Sequence, residues 1–459
     1  MSERVEASSG DGGLTRELGL LDCVLLSVGG MVGSAIFVFP GSTGRLAGPA
    51  STLAWLVAGL LMMVIALCYT ELALAFPKAG GPAVFPAETF GPNPFVRLFA
   101  SYIEGVSYCI GMVFSITISA LAIAQYLGIA FPSMKGYVVP IALVAIVLSF
   151  LVNLVGVTST SRTNLVLSSL LLTVLLVFVA AGLTKFEPTN YEPFFTGGPA
   201  KFFAAVQLAL TGYGAWTVIP SVAEEVKRPA KTVPRAILLS LLVTTGGYTL
   251  VVVVLHGVVP TSAFQSGNAV IEVPLGVTAA KLGLPVVQRY LLPLGAIVAI
   301  FTTMLVGTMS ASRIVLALGR NDTLPSFFAA VDSRFQVPWV GLVTVSLVAA
   351  ALTAFPEYFY ELLVIASVVG TGLPYALNIV SFVGLRYYRP DVTPPFRAPG
   401  GYALPAVALV ALSVAMVGLG STEVLWSLVT VVLIAGSFLV RYLIWPELFR
   451  QHDFVISRK

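Results

Sequence analysis

The sequence is poor in charged residues. Only 10% of its 459 residues are charged, whereas soluble domains carry about 25%. Hydrophobic residues make up 57% of the chain, and the mean hydropathy is +0.95. A hydrocarbon core needs roughly 20 apolar residues per helical span, so this length allows on the order of a dozen spans with short connections. The composition therefore predicts a multi-pass membrane protein in contact with a lipid bilayer and excludes a large soluble domain.

Cysteine and histidine are also scarce. The three cysteines, Cys23, Cys68 and Cys109, fall in apolar runs without a close pair, so we expect neither a disulfide framework nor a thiolate metal site. A partner subunit held through an external cysteine is excluded for the same reason, and the oligomeric state stays open, a monomer included. The two histidines, His256 and His452, are too far apart for a ligand cluster or a catalytic triad. We therefore predict that the protein is not an enzyme and holds no cofactor apart from a coupling ion.

The apolar runs, bounded by proline, glycine and charged residues, predict twelve spans. They are Leu20–Thr43, Leu53–Phe76, Pro94–Phe131, Tyr137–Val155, Thr163–Leu183, Phe202–Val226, Val233–Val259, Pro285–Leu318, Pro338–Ala354, Tyr358–Tyr387, Ala403–Gly420 and Val424–Ile444.

The distribution of basic residues predicts the orientation in a cell membrane, plasma or inner. With the amino terminus in the cytoplasm, 19 of the 25 lysines and arginines face that side. This asymmetry obeys the positive-inside rule and predicts an even number of spans, with cytoplasmic tails at 1–18 and 447–459. The net charge of +4 therefore reflects topology, and no nucleic-acid partner is predicted.

The first and sixth predicted spans share a glycine-rich interruption. The first contains Gly29-Gly30-Met31-Val32-Gly33-Ser34 and the sixth contains Thr211-Gly212-Tyr213-Gly214-Ala215-Trp216. The two spans are five apart, so they enter the membrane from opposite sides. Interrupted helices at matching positions of two inverted halves are typical of a transporter binding site. The alternative is that the glycines only allow close helix packing.

Unwound backbone in lipid needs polar partners, and an amino acid can provide them. Its carboxylate can accept hydrogen bonds from the Ser34, Ala35 and Ile36 amides at the start of a half-helix, with the Ser34 hydroxyl assisting. Its ammonium can donate to carbonyls at half-helix ends, for which the candidates are Met31, Thr211 and Gly214.

Several motifs resemble those of amino acid–polyamine–organocation permeases, in the order in which that family carries them. They are Gly33-Ser34-Ala35-Ile36-Phe37, Glu71-Leu72 with Pro77, Glu224-Glu225-Val226-Lys227-Arg228-Pro229, Asn321-Asp322-Thr323-Leu324-Pro325 and Pro395-Phe396-Arg397-Ala398-Pro399-Gly400. The sixth-span sequence is most similar to the light-subunit-like exchangers. The resemblance runs from about Leu14 to the last span.

The resemblance implies an all-α membrane protein of the leucine transporter type, with twelve transmembrane helices in a five-plus-five inverted repeat and broken first and sixth helices. The first repeat would cover residues 19–200, the second 201–400, and the last two spans 401–446. It implies amino acid transport by alternating access. The substrate-binding residues would be Met31, Gly33, Ser34, Ala35, Ile36, Thr211, Gly212, Tyr213, Gly214, Trp216 and Gly307.

This sequence also departs from the family. Ala35 replaces a glycine, Thr211 stands where exchangers carry a phenylalanine gate, and Gly307 replaces a tryptophan of the arginine–agmatine antiporters. Neither interruption contains an ionisable side chain. We therefore expect a neutral or apolar amino acid as substrate. A polyamine or cationic amino acid carrier of the same fold is the alternative.

The coupling ion stays open between Na⁺ and H⁺. The lysine that fills the cation site of many relatives is missing near Leu171. Similarity to sodium-coupled relatives implies a site made by the carbonyls of Gly29 and Val32 and the hydroxyls of Thr302 and Thr303, and oxygen ligands suit a hard cation. The threonines could instead bond to carbonyls one turn earlier.

Four acidic residues are candidates for gating or proton transfer. Glu71 is expected to pair with a basic residue at the cytoplasmic gate, and Glu104 lies within the third span, where a carboxylate either carries a proton or pairs. Glu224 and Glu225 close the sixth span beside Lys227, and form either a gate or a solvated cluster.

From another functional class, an ion channel would also suit a polytopic chain. A channel predicts rings of repeated polar residues around one pore, whereas paired broken helices favour a carrier.

Overall fold

The computed structural model describes residues 16–78, 80–266, 274–283, 289–290, 292–358, 365–416 and 421–445. Over these ranges the chain is helical, and a single parallel β-bridge joins Leu18 to Val226. Most of the predicted amino-terminal tail and the whole predicted carboxy-terminal tail lie outside the described residues.

The helices of the first half of the chain are α1 Leu20–Met31, α2 Ser34–Ala47, α3 Ser51–Ala75, α4 Gly81–Thr89, α5 Pro94–Ala130, α6 Val138–Leu154 and α7 Val157–Leu183. Those of the second half are α8 Gly198–Gly212, α9 Val218–Ser221, α10 Pro229–Val258, α11 Thr261–Ser266, α12 Pro274–Lys281, α13 Leu292–Arg320, α14 Trp339–Leu352, α15 Leu373–Tyr388, α16 Ala403–Met416 and α17 Ser421–Ile444. A π-helical turn, Val368–Gly372, leads directly into α15.

The described part of the chain contains nine helices that are long and apolar enough to cross a membrane, and three shorter apolar helices, α6, α14 and α16. Each predicted span overlaps one or more of these helices. Parts of the predicted eighth, tenth and eleventh spans, at 284–288, 291, 359–364 and 417–420, fall outside the described residues. The all-helical membrane architecture is confirmed, while the count of twelve crossings and the inverted repeat stay predictions.

Large apolar side chains point away from the protein on the outer helices. Leu176 on α7 is 69% exposed, Val432 on α17 is 67% exposed and Leu443 is 75% exposed. Apolar side chains in such positions are stable in hydrocarbon and unfavourable in water, so these faces are the surfaces that meet lipid.

Close backbone contacts hold the inner helices together. A Cβ on Gly111 of α5 would lie 2.5 Å from the Cα of Gly370 in the π-helical turn, and a Cβ on Gly59 of α3 would lie 2.3 Å from the Thr245 hydroxyl of α10. Hydrophobic burial does not drive helices together in lipid, so small residues that allow such approach are the means of association. These contacts place α3, α5, α10 and α13 around the two interrupted helices.

Candidate functional site

The first membrane helix is broken where the glycine cluster predicted an interruption. Helix α1 ends at Met31, Val32 and Gly33 are non-helical, and α2 begins at Ser34. The first amides of a helix have no partner within it, so those of Ser34, Ala35 and Ile36 stand at the positive end of α2. The side chain of Ser34 lies outside the described part of the structure.

Gly33 lies against α13 so closely that no other residue fits. A Cβ there would lie 1.6 Å from the Thr303 hydroxyl oxygen and 2.6 Å from the Ala299 carbonyl oxygen. Gly33 therefore sets the distance between the break and α13. It does not line the cavity described below.

The sixth membrane helix is broken as well. Helix α8 ends at Gly212, the chain passes through the 3₁₀ turn Gly214–Thr217, and α9 follows. A Cβ on Gly212 would lie 3.2 Å from that of Ala35, and a Cβ on Gly30 would lie 3.0 Å from that of Ala215. The two breaks therefore lie against each other.

Tyr248 of α10 joins the two breaks. Its hydroxyl donates to the Met31 carbonyl and also lies 3.2 Å from the Gly212 carbonyl. Each is at the end of a half-helix, where a carbonyl lacks an intrahelical partner and needs one in a water-poor interior. The sequence analysis missed this residue, although a tyrosine after Gly246-Gly247 in an apolar span was a signal for it.

The two threonines of the predicted sodium site contact α1, but not as expected. Thr302 donates to the Gly29 carbonyl at 2.6 Å and to the Ala299 carbonyl at 2.6 Å, and Thr303 donates to the Gly30 carbonyl at 3.0 Å. The sequence analysis paired the threonines with Gly29 and Val32. Gly30 takes the place of Val32 because α1 continues as a helix to Met31, which turns the Gly30 carbonyl toward α13.

A cavity of about 70 Å³ lies between the two breaks. Six of the predicted substrate-binding residues line it, namely Met31, Ala35, Thr211, Gly212, Gly214 and Gly307. The rest of the lining comes mainly from α2, α5 and α13 and includes Phe39, Tyr108, Met112, Ser115, Ile118, Thr303, Ser310 and Thr371. None of the lining residues in the described ranges carries a charge.

Three predicted site residues, Ile36, Tyr213 and Trp216, are buried behind the cavity. The Tyr213 hydroxyl donates to the Trp55 carbonyl at 3.0 Å, and the Trp216 ring packs 5.0 Å from that of Tyr69. The reason is geometric, because neighbouring residues of a helical or 3₁₀ turn point in different directions. With Gly212 and Gly214 facing the cavity, Tyr213 faces the protein interior. Phe39 and Tyr108 are the aromatic residues of the lining.

The comparisons with known proteins agree with this architecture. A family model described as "Amino acid permease" matches residues 18–440. The chain belongs to this family. It is a membrane transporter and not an enzyme.

Three similar proteins show how far substrates vary among relatives of this permease. The branched-chain amino acid permease BcaP of Bacillus subtilis is 28% identical over 100% of this chain and 97% of its own length. The chloroplastic cationic amino acid transporter 9 of Arabidopsis thaliana is 32% identical over 71% of this chain and 59% of its own length. The aspartate-proton symporter of Bacillus subtilis is 26% identical over 95% and 84%. Family membership therefore leaves the substrate open.

Three ion pairs of the permease lie at one end of the helix bundle, which we call the basic end. Glu71 at the end of α3 pairs with Arg386 of α15 at 2.7 Å and accepts the Ala398 amide at 2.6 Å. Glu225 pairs with Arg313 through both carboxylate oxygens, one at 3.0 Å, with both side chains at most 2% exposed. The Glu71 pair thus joins α3 to α15, and the Glu225 pair joins the end of the sixth membrane helix to α13.

The partners of Glu224 and Glu225 differ from those that the sequence indicated. Glu224 pairs with Arg320 at 3.3 Å, so both acids reach to α13 rather than to the adjacent Lys227. The Glu225 carbonyl also accepts the Leu18 amide at 3.1 Å, which ties the segment before α1 to the same place. Together these bonds close the basic end beneath the breaks.

Glu104 of α5 is fully buried. Neither carboxylate oxygen has a hydrogen-bond partner among the described residues. Tyr108, one helical turn away, lines the cavity and bonds to Thr217 beside the sixth-helix break. Glu104 does not line the cavity itself, so it lies one turn behind it.

Proposed function

We propose that this permease is a secondary active carrier of a neutral, apolar amino acid. The observation that supports this substrate class is the uncharged lining of the cavity between the two breaks. A cationic or acidic side chain would enter such a cavity without a counter-charge, and a buried unpaired charge is costly. The similarity to a branched-chain permease favours the same class. The similarity to a cationic transporter makes a cationic substrate the second candidate.

In this proposal, the substrate carboxylate binds the amides that open α2, and its ammonium binds carbonyls at the ends of α1 and α8. The Met31 carbonyl already accepts Tyr248, and the Gly214 carbonyl accepts Thr217 at 2.8 Å. A carbonyl oxygen has two lone pairs, so each can accept a second hydrogen bond from the ammonium. The cavity of about 70 Å³ is less than half the roughly 150 Å³ that admits benzene in a protein core, so binding must widen it.

We further propose twelve spans in a five-plus-five inverted repeat, both termini in the cytoplasm, and alternating access. Breaks in the first and sixth membrane helices, five spans apart, support the repeat. The basic end would then be the cytoplasmic side, as the distribution of lysine and arginine favours. The three ion pairs would hold that side closed.

Uptake into liposomes tests the proposal. The purified permease is reconstituted and given labelled leucine, alanine, lysine and aspartate under a sodium gradient, an inward proton gradient, or neither. We expect saturable, stereoselective uptake of the neutral amino acids. Saturable uptake of lysine alone would replace the substrate class with the cationic one, and unsaturable conductance would indicate a channel. The gradient that drives accumulation identifies the coupling ion.

Gly307 should act as a size filter if the cavity holds the substrate side chain. A Cβ at this position would lie 3.4 Å from Ile116 and 3.9 Å from the Met112 sulfur, which is ordinary contact distance. We therefore expect Gly307→Ala to be tolerated. Gly307→Leu should lower kcat/KM for leucine relative to alanine by about 10-fold or more, the usual size of such discrimination. An unchanged leucine-to-alanine ratio in Gly307→Leu would place the substrate elsewhere.

Glu104 is a candidate proton carrier. An ionised carboxylate without partners is costly in an apolar interior, so we expect this group to hold a proton in the present conformation and to release it when water reaches it. Glu104→Gln should remove the stimulation of uptake by an inward proton gradient and flatten the pH profile. The matched control is Glu357→Gln, which alters an exposed carboxylate. A pH profile that is the same in wild type and Glu104→Gln would dispose of this role.

A further inference from the structure

A second cavity, of about 180 Å³, lies at the basic end, apart from the cavity between the breaks. It is bounded by α4, the beginning of α5 and the end of α13. Its volume exceeds the roughly 150 Å³ that admits benzene in a protein core, so a phosphate group has room in it. Nothing in the transport proposal uses this cavity.

The lining of this cavity is predominantly cationic. Its charged residues are Lys78, Arg97, Arg320 and a single acid, Glu88. The Glu88 carboxylate is shared, since it lies 3.0 Å from Lys78, 3.9 Å from Arg97 and 3.5 Å from Arg389 outside the lining. One carboxylate cannot neutralise three cations, so positive charge is in excess around the cavity.

Arg97 gives this charge a fixed position. Its side chain is only 8% exposed, and its Nε donates to the Ala87 carbonyl. A guanidinium has five donors in a rigid planar arrangement that matches phosphate oxygens, and it is weakly hydrated, so it binds anions well at partly buried sites. Asn321 adds an amide to the same lining.

We propose that this cavity binds a phosphate-bearing anion. The other side of the lining is apolar, with Val84 and Leu98, and the cavity lies at the end of the bundle where lipid headgroups meet the protein. An anionic phospholipid has both the phosphate and the apolar part that such a lining accommodates. Free inorganic phosphate shares the chemistry of the phosphate and is the other source.

Thermal unfolding in nanodiscs tests the site. The full-length permease is placed in phosphatidylcholine, and phosphatidylglycerol is introduced stepwise, while a parallel series adds inorganic phosphate to phosphatidylcholine alone. A ligand that binds only the folded state raises the unfolding midpoint. We expect a saturable rise with phosphatidylglycerol. A rise with inorganic phosphate that phosphatidylglycerol does not increase further would identify the free anion as the ligand.

Two variants should weaken the response. Arg97→Gln removes the buried guanidinium, and Ala87→Leu fills the cavity while leaving every charge in place. Each should need about tenfold more anion for the half-maximal shift, which is the usual effect of losing one charge-assisted contact. Ala87→Leu keeps the test decisive if Arg97→Gln does not fold.

The matched control is Arg334→Gln, which removes an exposed cation in the segment after α13, outside the cavity lining. This variant should respond as the wild type does. The proposal is overturned if neither anion shifts the wild-type midpoint, if Ala87→Leu responds like the wild type, or if Arg334→Gln loses as much response as Arg97→Gln. The last result would indicate attraction by the general surface charge.

Discussion

Replacing Gly33 with alanine is expected to abolish uptake. The new Cβ would lie 1.6 Å from the Thr303 hydroxyl oxygen and 2.6 Å from the Ala299 carbonyl oxygen. Threonine is short and Ala299 contributes backbone, so neither neighbour can yield without moving α13 or the break. Such overpacking typically costs about 1–3 kcal/mol. It would also displace the α2 amides that we expect to bind the carboxylate, so substrate binding should be lost as well as stability.

The control for this variant is Gly246→Ala in α10, where no atom lies within 4 Å of the position that the new methyl group would take. Alanine is favoured over glycine in a helix by about 1 kcal/mol, so this variant should be as stable as the wild type or slightly more so. Uptake kinetics and the unfolding midpoint, measured on both variants, separate a steric effect at the break from a general effect of adding a methyl group. Wild-type uptake by Gly33→Ala would mean that the break does not hold the substrate.

Neutralising Glu225 is expected to cause the largest loss of stability. Glu225→Gln leaves the Arg313 guanidinium, 2% exposed, without its counter-charge. Removing one partner of a buried ion pair typically costs about 3–5 kcal/mol, because the remaining charge stays buried and uncompensated. The unfolding midpoint should therefore fall sharply. Transport should slow as well, since this pair joins the sixth membrane helix to α13 at the end that we propose to be cytoplasmic.

Glu224→Gln is the matched control, because Glu224 is adjacent in sequence but its pair with Arg320 is partly exposed. Exposed pairs contribute little, so this variant should unfold near the wild-type midpoint. Substrate binding should persist in the folded fraction of both variants if the pairs act as a gate. Lost binding in folded Glu225→Gln protein would contradict the gating role, and equal midpoints for the two variants would contradict the buried-pair argument.

The sequence was sufficient where the information was local. Apolar runs of about 20 residues report membrane helices because the bilayer sets that length. The glycine clusters around Gly30 and Gly212 marked both breaks because glycine weakens a helix wherever it stands. Contacts across the fold were beyond the sequence. The adjacent basic residues suggested local partners for Glu225, whereas its partner is Arg313, and a signal for Tyr248 was present but could not indicate which carbonyls it meets.

The sequence by itself determined that this protein lives in a membrane, that two of its helices are interrupted, and that basic residues gather toward one side. The tertiary structure alone decided which residues of each interruption face the cavity, so that Gly214 lines it and Trp216 does not. It also decided that Glu71 pairs with Arg386, 315 positions away in the chain. The physical reason is that composition and backbone propensity act within a few residues. The rotation of a half-helix and the partner of a buried charge depend on how distant helices pack.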